Sequence, residues 1–149
     1  MGKHITHSEL LQHHHAVIYA TGAPHDKRLD IPGEDLPGSH AAAEFVAWYN
    51  GHPDFADRVY DFDTERVIVF GNGNLGLDIA RVLLMTPDEL NDSDIAQHAI
   101  DALRQSEIRE VVILGRRGPA QAAFTTPELL GLTHLGNVEV VVESTILDA

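Results

Sequence analysis

Six consecutive residues near the middle of the chain have the types and the spacing of a phosphate-binding turn. The segment reads GNGNLG, with glycine at Gly71, Gly73 and Gly76. An apolar run, 66–70, precedes it directly, and apolar residues recur at helical spacing after it. Glycines placed in this way between a strand and a helix are typical of a loop that binds the pyrophosphate of a dinucleotide.

Each glycine of the turn has its own physical role. Gly71 permits the tight turn, Gly73 lets the backbone approach a pyrophosphate with no side chain between them, and Gly76 lets the helix pack closely on the strand. The N–H groups at the helix start, near Asn74 and Leu75, then face the anion together with the positive end of the helix. The alternative is a glycine turn that holds no ligand.

A pair of arginines bears on the choice of dinucleotide. Arg116 and Arg117 follow the apolar run 111–114 after a single glycine. NAD-binding domains usually place Asp or Glu at this strand end, where it accepts hydrogen bonds from ribose hydroxyls. Guanidinium groups instead suit a 2′-phosphate, with which they make bidentate, charge-assisted contacts. The pair therefore favours NADP over NAD; the alternative is a solvated surface pair.

The distance between the two motifs departs from the usual one. The discriminating residue is expected about 20 residues beyond the glycines, whereas Arg116 comes 40 positions after Gly76. We interpret the segment 87–103 as an added helix, which starts near Asn91 or Asp92. Such an insertion lengthens the connection but leaves the strand end where it is.

Composition excludes several other classes of chemistry. The chain has 149 residues, a formal net charge of −13 and no cysteine. The length fits one domain, and the acidic balance argues against a nucleic-acid or membrane partner. Without cysteine the chain holds no disulfide, thiolate metal site or thiol nucleophile. It has neither an apolar signal core nor a run of the roughly 20 residues that cross a membrane, so we expect a soluble, cytoplasmic domain.

Histidines are concentrated at the beginning of the chain, at His4, His7, His13, His14 and His15. Clustered imidazoles can bind a metal, but three consecutive side chains point in different directions and cannot converge on one ion. We favour a polar helix end that leads into a strand. No metal ligand and no catalytic residue is predicted in this chain.

The elements that position the motifs alternate along the chain. Buried apolar runs predict strands at 16–20, 66–70, 111–114 and 138–142. Apolar residues at helical spacing predict helices at 41–49, 77–84 and 95–103, and Thr126, Pro127 and Glu128 have the pattern of a helix start. This order predicts an α/β fold: a Rossmann-like parallel sheet with flanking helices.

Several motifs together resemble the adrenodoxin-reductase-type ferredoxin–NADP reductases, the bacterial branch more closely than the mitochondrial one. The resemblance covers nearly the whole chain. It is carried by YATGA at 19–23, IPGEDLPG at 31–38, GNGNLGLDIAR at 71–81, GRRGP at 115–119 and QAAFTT at 121–126. The chain departs from the family at Leu75 and Gly76, where the family often has Val-Ala; glycine there completes the fingerprint.

The resemblance implies the NADP-binding domain of a two-dinucleotide-binding flavoprotein. Residues 1–149 would be that single domain, with 1–38 forming the crossover from an FAD domain that is absent from this chain. Electrons would pass from NADPH through FAD to a ferredoxin-type iron–sulfur protein. The chain alone would then lack both FAD and turnover.

Site residues follow from the same resemblance. Asn72, Gly73, Asn74 and Leu75 would line the pyrophosphate turn. Arg116 and Arg117 would hold the 2′-phosphate, and Glu128 matches a family glutamate that contacts the bound nucleotide. Two alternatives stay open: the NADPH domain of a glutamate-synthase-like oxidoreductase, and a non-catalytic NADP-binding or sensing module.

Overall fold

Two parallel strands lie at the centre of the computed structural model, which describes residues 4–20 and 26–142. The elements in this part of the chain are α1 (His7–His13), α2 (Ala42–Tyr49), β1 (Arg66–Phe70), α3 (Asn74–Leu84), α4 (Pro87–Asn91), α5 (Gln97–Leu103), β2 (Glu110–Leu114), a 3₁₀ turn (Pro119–Gln121) and α6 (Thr126–Thr133). The described residues therefore form a mixed α/β structure. The 21–23 part of the family-like motif lies outside them.

The sheet pairs β1 with β2 in parallel, with Val67 opposite Val111 and Val69 opposite Ile113. These residues turn their side chains toward the helices, where they pack against the core. The alternation of half-buried and exposed positions along β1 is that of a strand with one covered face. The two strands thus end side by side, and the residues that follow them are brought together.

Helix α3 is the element on which most of the packing converges. Its buried residues include Leu77, Ala80 and Leu83, which are the apolar positions whose helical spacing predicts this helix. The larger core cluster joins α3 to α2, α5 and the aromatic segment that holds Tyr60 and Phe62. A smaller cluster of Ala80, Leu132 and Leu135 joins α3 to α6. Burial on both sides therefore fixes the position of α3 and of the turn that precedes it.

Two of the four predicted strands are wrong. Neither 16–20 nor 138–142 is a strand, and among the described residues the sheet has two strands only. Ile18 is 90% exposed and Val141 77% exposed. An apolar run shows that side chains suit burial, but a strand exists only where a neighbour completes its hydrogen-bond ladder.

The single added helix predicted to start near Asn91 or Asp92 is also wrong. The structure has two short helices here, and Asn91 is the last residue of the first, α4. Thr86 forms a capping box in which its hydroxyl accepts from the Glu89 N–H and the Glu89 carboxylate accepts from the Thr86 N–H. The sequence signal was present, since Thr-Pro-Asp-Glu is a typical helix start.

The histidine-rich beginning forms a helix end, as predicted, but no strand follows it. His7 and His13 bound α1, whose first turn is closed by a capping box between Thr6 and Glu9. In residues 4–20 and 26–142, no group of three or more histidine, aspartate or glutamate side chains is placed to hold a metal ion. None of the described helices is long and apolar enough to cross a membrane.

Candidate functional site

The glycine turn, residues 71–76, leads from the end of β1 into α3. Gly71 has φ +129°, a conformation that favours glycine, and its N–H donates to the Leu114 carbonyl oxygen at 2.9 Å. A Cβ on Gly76 would lie 2.3 Å from the Gly71 carbonyl oxygen, far inside van der Waals contact. The first turn of α3 therefore rests directly on the backbone of the glycine turn.

Replacing Gly76 by alanine is expected to lower the free energy of unfolding by about 1–3 kcal/mol, because the added methyl overlaps a backbone oxygen that cannot move away freely. Gly131→Ala is the matched control. Gly131 lies inside α6, where a Cβ would come no closer than 4.0 Å to the Arg81 Cδ, so alanine there should stabilise by about 0.5–1 kcal/mol. Thermal or urea unfolding of both variants measures the difference; equal effects would contradict the close packing at Gly76.

Gly73 differs from the other two glycines of the turn because the chain itself does not require a glycine there. Its backbone is extended, with φ −97° and ψ 179°, which any residue adopts. A Cβ on Gly73 would meet only the Ala123 Cβ, at an ordinary 4.0 Å. A glycine that neither its backbone geometry nor the packing of the described residues demands would suit a ligand that approaches the backbone closely.

The start of α3 offers hydrogen-bond donors to such a ligand. Gly73 is the N-cap residue and has no side chain, and the first turn of α3 contains no acid. The N–H groups of Asn74, Leu75 and Gly76 therefore have no intrahelical acceptor, and they carry the positive end of the helix dipole. This arrangement suits a phosphate group.

Interactions with α2 hold the middle of α3 in place. The Tyr49 hydroxyl donates to the Asp78 carboxylate at 2.6 Å, and Arg81 forms an ion pair with the same carboxylate. Burial, together with the hydrogen bond to Asp78, raises the pKa of Tyr49 well above its usual range. The hydroxyl thus stays a hydrogen-bond donor well above neutral pH, and Arg81 balances the charge of Asp78 near the first turn of α3.

The two asparagines of the turn direct their side chains at the chain itself. A Cβ on Gly115 would lie 2.6 Å from the Asn72 Nδ2, so the Asn72 side chain lies against this glycine at the end of β2. The Asn74 Oδ1 accepts a hydrogen bond from the Thr125 N–H at 2.7 Å. Gly115 and Thr125 were not predicted as site residues, although a glycine directly after a strand signals a close approach.

Arg116 and Arg117 lie at a bend just after β2, and both are exposed. Within the described residues, neither has an ion-pair or hydrogen-bond partner. The guanidinium groups that do pair with carboxylates are those of Arg28, Arg58, Arg66, Arg81 and Arg104. In a chain of net charge −13, two adjacent arginines that pair with no acid in residues 4–20 and 26–142 are suited to an external anion.

The amino-acid sequence of the chain is similar to those of known NADPH-dependent reductases. A probable ferredoxin/ferredoxin–NADP reductase of Mycobacterium bovis is 61% identical over 133 residues, which are 89% of this chain and 23% of that protein. The NADPH-ferredoxin reductase FprA of Mycobacterium tuberculosis is 54% identical over 148 residues, 99% of this chain and 32% of FprA. The chain is homologous to a segment of the ferredoxin–NADP reductases. The family resemblance read from the motifs is confirmed.

A more distant relative and a solved structure also match the chain. The mitochondrial NADPH:adrenodoxin oxidoreductase of Arabidopsis thaliana is 45% identical over 148 residues, 99% of this chain and 31% of that protein. The structure of Mycobacterium tuberculosis FprA in complex with NADPH matches with a TM-score of 0.85, over 99% of this chain and 32% of FprA. No protein-family model matches the chain. The chain thus spans 23% to 32% of the length of these relatives.

The remaining predicted site residues of this chain lie at the same edge of the sheet. Leu75, in the first turn of α3, is 44% exposed. Glu128 is half-buried in the first turn of α6, whose start is held beside α3 by the bond from Thr125 to Asn74. The glycine turn, the two arginines and the start of α6 therefore meet where both strands end, the usual ligand position in parallel sheets.

Proposed function

We propose that the chain is the NADP(H)-binding domain of an FAD-dependent ferredoxin–NADP reductase, and that residues 1–149 form one Rossmann-like domain. Residues 1–38 would be the crossover from the FAD domain of the parent protein. In that protein NADPH reduces FAD, and the electrons continue to a ferredoxin-type iron–sulfur protein. The names of the relatives support the reductase over the glutamate-synthase-like alternative. The cytoplasmic location and the lack of nucleic-acid and membrane partners stay predictions from composition.

One observation carries the proposal. The uncapped start of α3, with no side chain at Gly73, lies at the same edge of the sheet as Arg116 and Arg117. Two places that each suit a phosphate group are thus within one corner of the structure. NADP(H) carries two such groups, the pyrophosphate and the 2′-phosphate, and NAD(H) carries only the first.

The residues of this chain bind and orient the nucleotide in the proposed mechanism. The N–H groups of Asn74, Leu75 and Gly76 would donate to the pyrophosphate, and the two guanidinium groups would hold the 2′-phosphate. Bound FAD supplies the acceptor for the hydride of NADPH. Among the described residues one glycine turn of the dinucleotide-binding type is present, at 71–76, and it is used here for NADP(H).

Titration of the 149-residue chain with NADPH and with NADH tests the proposal. Binding is expected to change the fluorescence of the reduced nicotinamide for both nucleotides, with a clear preference for NADPH. A chain that binds neither nucleotide in the millimolar range, or binds both equally, would contradict it. A sensing module would give the same binding but no reduction of FAD when present in its parent protein.

The purified chain is expected to be colourless, because the one dinucleotide turn of the described residues is assigned to NADP(H). The measurement is the absorbance between 400 and 500 nm, roughly where oxidised flavins absorb. The parent protein, expressed alongside as the comparison, is expected to be yellow and fully loaded. Flavin that copurifies with the 149-residue chain would show that an FAD site had been assigned to the wrong part of the protein.

A further inference from the structure

The segment 115–125, the arginine loop, is fastened to the glycine turn at both of its ends. It leaves β2, carries Arg116 and Arg117, makes a 3₁₀ turn and enters α6. The side chains of Arg116, Arg117, Gln121 and Thr125 are all exposed. Ala122 and Phe124 are half-buried, but no residue of the loop belongs to the two core clusters. Its specific contacts with the glycine turn therefore contribute strongly to its path.

Asn72 contacts the loop at its first residue, Gly115, and again near its end, at Ala123. Its side chain lies against Gly115, where a Cβ would approach the Asn72 Cγ to 2.9 Å. Its carbonyl oxygen accepts from the Ala123 N–H at 3.2 Å, and Gly73 and Ala123 form a parallel bridge. The backbone of the turn thus limits how far the loop can move from the end of β1.

Asn74 supplies the contact at the end of the loop. Its Oδ1 accepts from the Thr125 N–H at 2.7 Å, across 51 positions of sequence. Thr125 is the N-cap residue of α6 and has no side-chain cap of its own. The Asn74 amide is therefore occupied in closing the loop, while the backbone N–H of the same residue stays available at the start of α3.

We infer that Asn74 is a positioning residue for nucleotide selectivity: by holding Thr125 it fixes the arginine loop, and thereby the guanidinium groups, relative to the pyrophosphate turn. The inference rests on the proposed function. NADP and NAD share the pyrophosphate, so a change confined to the turn affects both nucleotides alike. Without the bond to Thr125, the end of the loop is held to the turn only through Ala123. A shift of the loop then misplaces only the contacts to the 2′-phosphate, so the selectivity itself falls.

The test compares Asn74→Leu, which has a similar size but cannot accept a hydrogen bond, with Asn74→Asp, which can. We expect Asn74→Leu to reduce the ratio of NADH to NADPH dissociation constants by about five- to tenfold. Asn74→Asp is expected to keep the ratio, although its charge weakens both nucleotides equally. Thr125→Pro removes the donor without altering Asn74 and should reduce the ratio as Asn74→Leu does.

A double-mutant cycle separates positioning from a general structural role. In a chain that already carries Arg116→Ala and Arg117→Ala, Asn74→Leu should leave the ratio unchanged, since no guanidinium remains to be positioned. Thermal unfolding of each variant shows whether it is folded. Equal weakening of both nucleotides by Asn74→Leu and by Thr125→Pro, or a fall in the ratio without the arginines, would overturn the inference. If the wild-type chain itself lacks a preference for NADPH, the proposed function fails first.

Discussion

Replacing Arg116 and Arg117 together by alanine is expected to weaken NADPH binding by about 100-fold and to change NADH binding by less than about twofold. A hydrogen bond to a charged group contributes about 1.5–3 kcal/mol. The lower end applies to each arginine because both are exposed, and solvent and salt screen exposed charges. Titration with the two reduced nucleotides, at one fixed salt concentration, measures the effect.

The control for this prediction removes two other positive charges. Arg58→Ala with Arg104→Ala changes the net charge equally. These arginines form surface ion pairs with Glu44 and Asp101, and they also contact Phe55 and Asn91. None of these residues is assigned to the nucleotide, so the preference for NADPH should persist. An equal loss of NADPH and NADH affinity in the Arg116/Arg117 variant would contradict the assignment of these residues to the 2′-phosphate. The pair would then be an ordinary solvated part of the surface.

Gly73→Val is expected to weaken NADPH and NADH binding alike, each by at least about 100-fold, while the midpoint of thermal unfolding stays close to that of the wild type. The isopropyl group would stand between the N–H groups of the turn and the pyrophosphate that both nucleotides contain. Valine fits the extended backbone of Gly73, and its Cβ would make an ordinary 4.0 Å contact with Ala123.

Gly136→Val is the matched control for this variant. Gly136 follows the far end of α6, has nothing within 4 Å of a Cβ, and is exposed, so nucleotide affinity should be unchanged. If Gly73→Val kept its affinity, the pyrophosphate would not lie over this turn. If it unfolded the chain, internal packing would explain the glycine and the argument for a ligand at Gly73 would be lost.

The positions of both motifs could be predicted because their signals are local. A glycine turn between an apolar strand and a helix with one apolar face has few alternatives to the strand–turn–helix arrangement. Accordingly, β1, the turn and α3 lie where the sequence indicates. Local signals of this kind do not decide whether the apolar segments 16–20 and 138–142 form strands. Their apolar character is real, but a strand also needs a neighbour, and the described residues supply none.

The contacts within the site were beyond what the sequence predicts. Asn74 and Thr125 are 51 positions apart, and their meeting depends on how the loop after β2 returns to α3. Gly115 meets Asn72 for a different reason, because β1 and β2 pair in parallel and end side by side. Sequence patterns identify which residues belong to a turn, but the direction of each side chain follows from packing between distant segments.

A map of backbone amide chemical shifts tests the central claim, that one corner of this chain binds NADP(H) through two separate phosphate sites. The isotope-labelled chain would be titrated with NADP⁺ and, separately, with NAD⁺. The account predicts that the amides of 73–76 shift with both nucleotides, whereas those of 115–118 shift strongly only with NADP⁺. Identical shifts with both nucleotides, or shifts confined to the cleft lined by Tyr49, Asp78 and Arg81, would contradict it.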